Sequence, residues 1–138
     1  MSNPISSYMG VHADALPLRE QRMKLIASNL ANADTPGYQA QDIDFNAALD
    51  AARMQREGAA APGGVLSATH EGHLSDAIAA GRLPFQLTRQ ASQPSLDGNT
   101  VDPDAERAAY GRAALEYRAS LSFVESKVRT LLTAITGQ

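Results

Sequence analysis

The feature that most constrains this chain lies near its C-terminal end. Tyr110, Ala114, Tyr117, Leu121, Val124, Val128, Leu131 and Ile135 recur at alternate spacings of four and three. An α-helix gathers such a heptad stripe on one face, and no strand can. The flanks punctuate the helix. Asp102 can cap it, Pro103 suits its first position, and Asp104 and Glu106 sit beside the positive end of the dipole. Lys127 and Arg129 lie toward the far end, and Gly137 stands just past Ile135. A helix from Pro103 to Thr136 is about 50 Å long at 1.5 Å per residue. That is too long for the core of a compact domain of 138 residues, so the helix requires a long partner.

The N-terminal segment supplies it. Met23, Ile26, Leu30 and Ala33 fall three and four apart, with Arg19, Glu20, Arg22 and Lys24 around them. Residues 4–33 read as one interrupted or kinked helix, with Pro17 as the expected break because its ring clashes with the preceding turn. Pro36 and Gly37 then predict a type II turn over Thr35 to Tyr38. Ile43 and Phe45 alternate with Asp42 and Asp44 as a short extended stretch, and 47–56 returns to helical composition. Gly58, Pro62, Gly63 and Gly64 read as a flexible linker. Residues 83–88 suit a short strand, which Pro84 would confine to an edge. Ser95, Asp97, Gly98 and Asn99 form a turn-rich lead into the long helix. The expected fold is mainly α. Long N- and C-terminal helices pair as a coiled-coil-like hairpin around an irregular middle with at most a short β element. Its divisions are 1–38, 39–101 and 102–138, the first and last forming one unit.

Composition narrows the function. Of the 43% hydrophobic residues, 25 are alanine, whereas Leu, Ile, Val and Phe together number only 27. That is poor material for an enzyme-like core. A net charge of −3 with scattered cations gives no footprint for nucleic acid. No cysteine is present, so thiolate metal sites and thiol catalysis are excluded. His70 and His73 flank Glu71 but lack the His-Glu-x-x-His order and a four-ligand set, and they read as a solvated loop. His12 has no evident partner. There is no nucleophile elbow or phosphate loop, and cap and turn roles account for the acid pairs Asp42/Asp44 and Asp102/Asp104. We expect no enzyme activity, cofactor, metal or small-molecule substrate. No apolar run approaches the ~20 residues needed to span a bilayer. Residues 1–10 lack the basic and apolar regions of a secretory signal.

Two motifs identify a relationship. The run from Ser28 to Tyr38, SNLANADTPGY, resembles the N-terminal signature of bacterial flagellar axial proteins, the rod and hook families, and its continuation to Phe45 resembles the proximal rod branch. The run from Ser95 to Asp102, SLDGNTVD, resembles the same branch's second motif, ahead of its C-terminal helix. Gln39 and Gln41 stand where that branch commonly has basic residues, and Pro103 where it commonly has Met. The resemblance implies a rod subunit of the basal body. It would be exported through the flagellar type III channel without a cleaved signal and packed with others into the periplasmic shaft between membrane ring and hook. Implied partners are copies of itself, other rod proteins and the junction protein between membrane ring and export gate. Asn29, Asn32, Thr35, Pro36, Gly37, Tyr38, Asp97, Gly98 and Asn99 would form the assembly motif. Ile26, Leu30, Tyr117, Leu121, Val124, Val128, Leu131 and Ile135 would pack helices. Another rod or hook paralogue, or a helical secretion adaptor, are the alternatives.

A chain that completes its core on neighbours is expected to be loosely helical or disordered at its ends when isolated, and to order on assembly. Circular dichroism and hydrogen exchange on the dilute monomer check this. A rigid, protected C-terminal helix would contradict it.

Overall fold

The computed structural model describes residues 4–57, 85–91 and 95–137. The histidine cluster, the glycine-rich linker and Pro84 lie outside them. Five elements follow in order: helix α1 (Pro4–Ala31), strand β1 (Gln41–Ile43), helix α2 (Phe45–Glu57), strand β2 (Gln86–Thr88) and helix α3 (Pro103–Thr136). The mainly helical architecture is the one expected, with the two long terminal helices packed together.

Helix α3 has both expected ends. The Asp102 carboxylate accepts the N–H groups of Asp104 and Ala105, Pro103 occupies the first turn, and Gly137 closes the helix in the left-handed region. Its N–H donates to Thr133 O at 2.9 Å. Against α3, α1 runs antiparallel. Asn29 meets Glu106, Arg19 Nη1 reaches Glu116 Oε2 at 2.9 Å, the His12 ring stacks on Phe123 at 4.5 Å, and Lys127 reaches Tyr8. Each step down α1 is matched by an equal step up α3, so the pairing does not slip.

The buried positions of α3 are Glu106, Ala113 and Ser120, spaced by sevens. Ala15 of α1, also buried, falls level with Ser120 in this register. Small side chains thus form the seam and bring the helices close. The apolar stripe lies beside that seam: Tyr117, Leu121, Val124 and Leu131 are half-buried, and Tyr110, Val128 and Ile135 are exposed.

The break expected at Pro17 occurs instead at Gly10. Pro17 costs α1 one N–H and the helix continues through it. At Gly10 (φ 66°, ψ −159°) the backbone leaves helical space for a region open essentially to glycine alone. Carbonyls beside this break are satisfied from α3: Lys127 Nζ donates to Tyr8 O at 2.9 Å and Met9 O at 3.3 Å. A Cβ on Gly10 would sit 3.2 Å from that ammonium.

On its other side α1 carries the small core. Leu25 packs with Ile43 and Ala48, and Leu18 and Phe85 close over them. The strands pair antiparallel with Asp42 opposite Leu87, and Arg89 N–H extends the ladder to Ala40 O at 2.7 Å. The extended stretch expected through Phe45 ends at Ile43. Asp44 caps α2 by accepting Ala47 N–H at 3.0 Å, and Phe45 turns its ring under the Arg19 guanidinium at 5.3 Å.

Ile26 is fully buried near the C-terminal end of α1. Ile26→Ala is expected to destabilise the fold by about 2–5 kcal/mol, the usual range for such a truncation. Chemical denaturation of the two proteins measures it.

Candidate functional site

The two sequence motifs, some sixty residues apart, fold into one junction at the end of the helical hairpin. The first leaves α1 through the expected turn, with Tyr38 N–H donating to Thr35 O at 3.2 Å and Gly37 at φ 70°. The second comes alongside it. Gly37 N–H donates to Asp97 O at 2.8 Å, and Thr100 N–H to Tyr38 O at 3.0 Å. The Thr100 hydroxyl accepts Ala40 N–H at 2.7 Å, and Gln39 Nε2 donates to Gly98 O at 3.2 Å. A neutral glutamine at 39 thus has its own role here. Gly98, at φ 72°, lies close enough that a Cβ on it would be 3.7 Å from Gly37 Cα.

Asn99 is the pin. Buried, it shares its amide protons among three carbonyls past the end of α1: Asn32 O at 3.0 Å, Ala33 O at 2.8 Å and Thr35 O at 2.9 Å. Its own carbonyl oxygen accepts Val101 N–H at 2.8 Å. The turn carbonyls that follow α1, which would otherwise be left without donors, are therefore satisfied from the second motif. Asn32 contributes locally, with Nδ2 donating to Ser28 O at 2.8 Å.

One turn back, Asn29 is fully buried and saturated. Its Nδ2 donates to Gln41 O at 2.8 Å and to Glu106 Oε2 at 3.3 Å. Its Oδ1 accepts Gln41 N–H at 2.9 Å and the Tyr38 hydroxyl at 3.3 Å. The side-chain amide thus meets Gln41 as a neighbouring strand would. Glu106, 1% exposed, is also held by Arg89 Nη1 at 2.6 Å. Arg89 Nη2 donates to Asp42 Oδ2 at 2.8 Å, and Arg22 holds the same carboxylate bidentately at 3.0 and 3.2 Å. Two acids and two arginines therefore tie α1, β1, the exit of β2 and the start of α3 together with no net charge. Glu106, read from sequence as a partner of the helix dipole, is instead the buried centre of this network.

Burial is the largest single influence on Asp42 and pushes its carboxyl up. The hydrogen bonds from Arg89, Arg22 and Ile43 N–H together outweigh it and hold the group below the ordinary 3.8. Asp97 is held low chiefly by Asn99 N–H, then by Ser95.

The structure brings together Asn29, Asn32, Thr35, Gly37, Tyr38, Asp97, Gly98 and Asn99, with Pro36 exposed at the turn. Ile26 is buried and Leu30 half-buried behind them. Arg22, Asp42, Arg89, Thr100 and Glu106 were not singled out for this role. Arg89 and Glu106 carry no motif of their own, and only the fold places them beside Asp42 and Asn29. Among the described residues no group of three or more His, Asp or Glu is placed to hold a metal ion. The polar groups of this junction face one another, and the arrangement fastens chain segments together. Its outer face presents Asp34, Thr35, Pro36, Leu96 and Asp97 to solvent.

Residues 9–39 match the family described as flagella basal body rod protein. Over nearly its whole length the chain is similar to proteins named flagellar basal body rod protein FlgB. That of Aeromonas hydrophila is 41% identical over 130 residues, covering 94% of this chain and 92% of the relative. That of Salmonella typhimurium is 37% identical over 138 residues, covering 99% of each. That of Escherichia coli is 38% identical over 136 residues, covering 98% and 97%.

A carboxyl held low in the folded state contributes stability that is present above its unfolded value and lost as pH falls through the folded one. The wild-type chain is therefore expected to lose stability below about pH 3.8, the unfolded value of Asp42. Asp42→Asn should be less stable at neutral pH and lose less on acidification. Denaturation midpoints at pH 7 and at about pH 3 test this; parallel losses in the two proteins would contradict it.

Proposed function

The chain belongs to the FlgB family of flagellar basal body rod proteins, and on that premise we propose that it is a structural subunit of the proximal rod. It packs through its terminal helices into the shaft that crosses the periplasm from membrane ring to hook. Its neighbours are further copies of itself, other rod proteins and the junction protein between membrane ring and export gate. It reaches them through the flagellar export channel without a cleaved signal, and it catalyses nothing.

The observation that carries this reading is the junction itself. Both family-like motifs, separate in the sequence, are spent on one fastening that sets the register of α1 against α3. The stripe beside their seam is left for neighbours. We assign Tyr117, Leu121, Val124, Val128, Leu131 and Ile135 to packing between helices of adjoining subunits, with Ile26 and Leu30 supporting the pair from within. Asn29, Asn32, Thr35, Pro36, Gly37, Tyr38, Asp97, Gly98 and Asn99 present that pair in a fixed geometry. Among the described residues no helix is long and apolar enough to cross a membrane.

Val128→Asp places a charge in the proposed packing stripe without touching the junction. Cells carrying it as their only copy are expected to export the subunit at wild-type levels yet lose the rod and motility. Immunoblots of secreted fractions, with microscopy of basal bodies, read both. Loss of secretion with normal assembly of what is exported would point instead to an export role.

A further inference from the structure

Counting by sevens along α3 from its buried seam residues Glu106, Ala113 and Ser120, the next position is Lys127. The seam therefore presents an ammonium to α1, and α1 is broken opposite it. Lys127 Nζ donates to Tyr8 O at 2.9 Å and to Met9 O at 3.3 Å, and it lies 5.5 Å from the centre of the Tyr8 ring. At the next residue, Gly10, the backbone leaves helical space with φ 66° and ψ −159°. A Cβ built there would stand 3.2 Å from Nζ, so the glycine also makes room for the ammonium.

Pro4–Met9 and Val11–Ala31 are helical on either side of Gly10. In a straight α1 the Tyr8 and Met9 carbonyls would face the N–H groups of His12 and Ala13, one turn on. Glycine takes positive and negative φ with similar ease, so residue 10 itself admits both paths. What favours the broken one is the charged donor from α3, whose bonds are stronger than those between neutral groups, together with the cation over the Tyr8 ring. We propose that Pro4–Met9 is a strap, hinged at Gly10 and latched by Lys127. When the latch opens, the strap swings to continue α1 as one straight helix, and the ammonium reaches solvent on its long apolar stem.

The remainder of α1 takes no part in this change. It is fixed to α3 by Arg19 on Glu116 and by Asn29 on Glu106, so the motion is confined to the N-terminal side of the hinge. The latch stands where α3 begins its uncovered end, with Val128, Leu132 and Ile135 exposed beyond it. Its state therefore sets the direction in which Pro4–Met9 leaves that end of the hairpin. An acceptor from another chain that captured the Lys127 ammonium would release the strap, which makes one lysine the control point of the helix path. The device belongs to the chain itself and stands or falls independently of the rod reading.

Backbone chemical shifts of the full-length chain report the helicity of residues 8–12, and amide exchange reports their hydrogen bonding. Shifts average over exchanging states, so each variant is compared with the wild-type chain. In the wild type, Gly10 is expected to be less helical than Met9 and Val11. Lys127→Met keeps the stem without the donors, and Gly10→Ala disfavours positive φ. Both are expected to make 8–12 continuously helical and to slow exchange at His12 and Ala13 about tenfold. Unchanged shifts at Gly10 in Lys127→Met would overturn the latch, and so would a wild-type chain already helical there. Loss of helical shifts from 4–9 in either variant would overturn the straight state. The amide shifts of Asn29 and Asn99, at the far end of the hairpin, should stay as in the wild type and separate these outcomes from general unfolding.

Discussion

The rest of the structure depends on the saturated amide of Asn29. Buried in the middle of a polar junction, it donates twice and accepts twice, and its partners come from the turn, from β1 and from α3. An unsatisfied amide in that position would carry the full desolvation penalty of about 1–3 kcal/mol. The segments that satisfy it are therefore held in one register. Glu106 extends the same condition to a charge. Its carboxylate is tolerable in the interior only while Arg89 and Asn29 face it, and Arg89 in turn needs Asp42. The path of the chain from α1 into the strands, and the level at which α3 begins, follow from this chain of partners.

That fastening also explains how so few large apolar residues suffice. The apolar cluster under α2 is small, and the α1–α3 seam is built on Ala15, Ala113 and Ser120. Small residues bury little area each but allow helices to approach closely, and directional hydrogen bonds at one end hold the register. Larger side chains are thereby released from the internal seam. Phe123, Val128, Leu132 and Ile135 remain exposed on α3, as Leu115 does on its back. A soluble monomer would seldom leave so much of a helix uncovered. Under the proposed rod reading, that surface is the one left for neighbouring subunits.

Legibility from sequence followed the range of the interaction. Local features were readable: the Asp102 cap, Pro103, Gly137 and the turn at Pro36 and Gly37 each act within a few residues and appear as written. Phe45 was misread because alternation over four residues cannot distinguish a strand from a helix start, and the Asp44 cap decided the matter. Pro17 was misread because propensity weighs a residue alone. Gly10 is the break, since Lys127 from α3 supplies donors for the carbonyls beside it. Arg89 was invisible because nothing in its neighbourhood announces a role, and its partners are 17 and 47 residues away.

By itself, then, the sequence determined the helical class, the two long terminal helices, their ends and the two motifs. Each of these follows from periodicity, backbone preference or short-range hydrogen bonding, which operate along the chain. Only the tertiary structure decided that the two motifs are halves of one junction, that Glu106 is buried in it, and that small residues form the seam while the heptad stripe lies beside it. Those outcomes depend on which helix faces lie closest across the α1–α3 pair and on which distant partner satisfies each buried polar group. Neither is encoded at any one position.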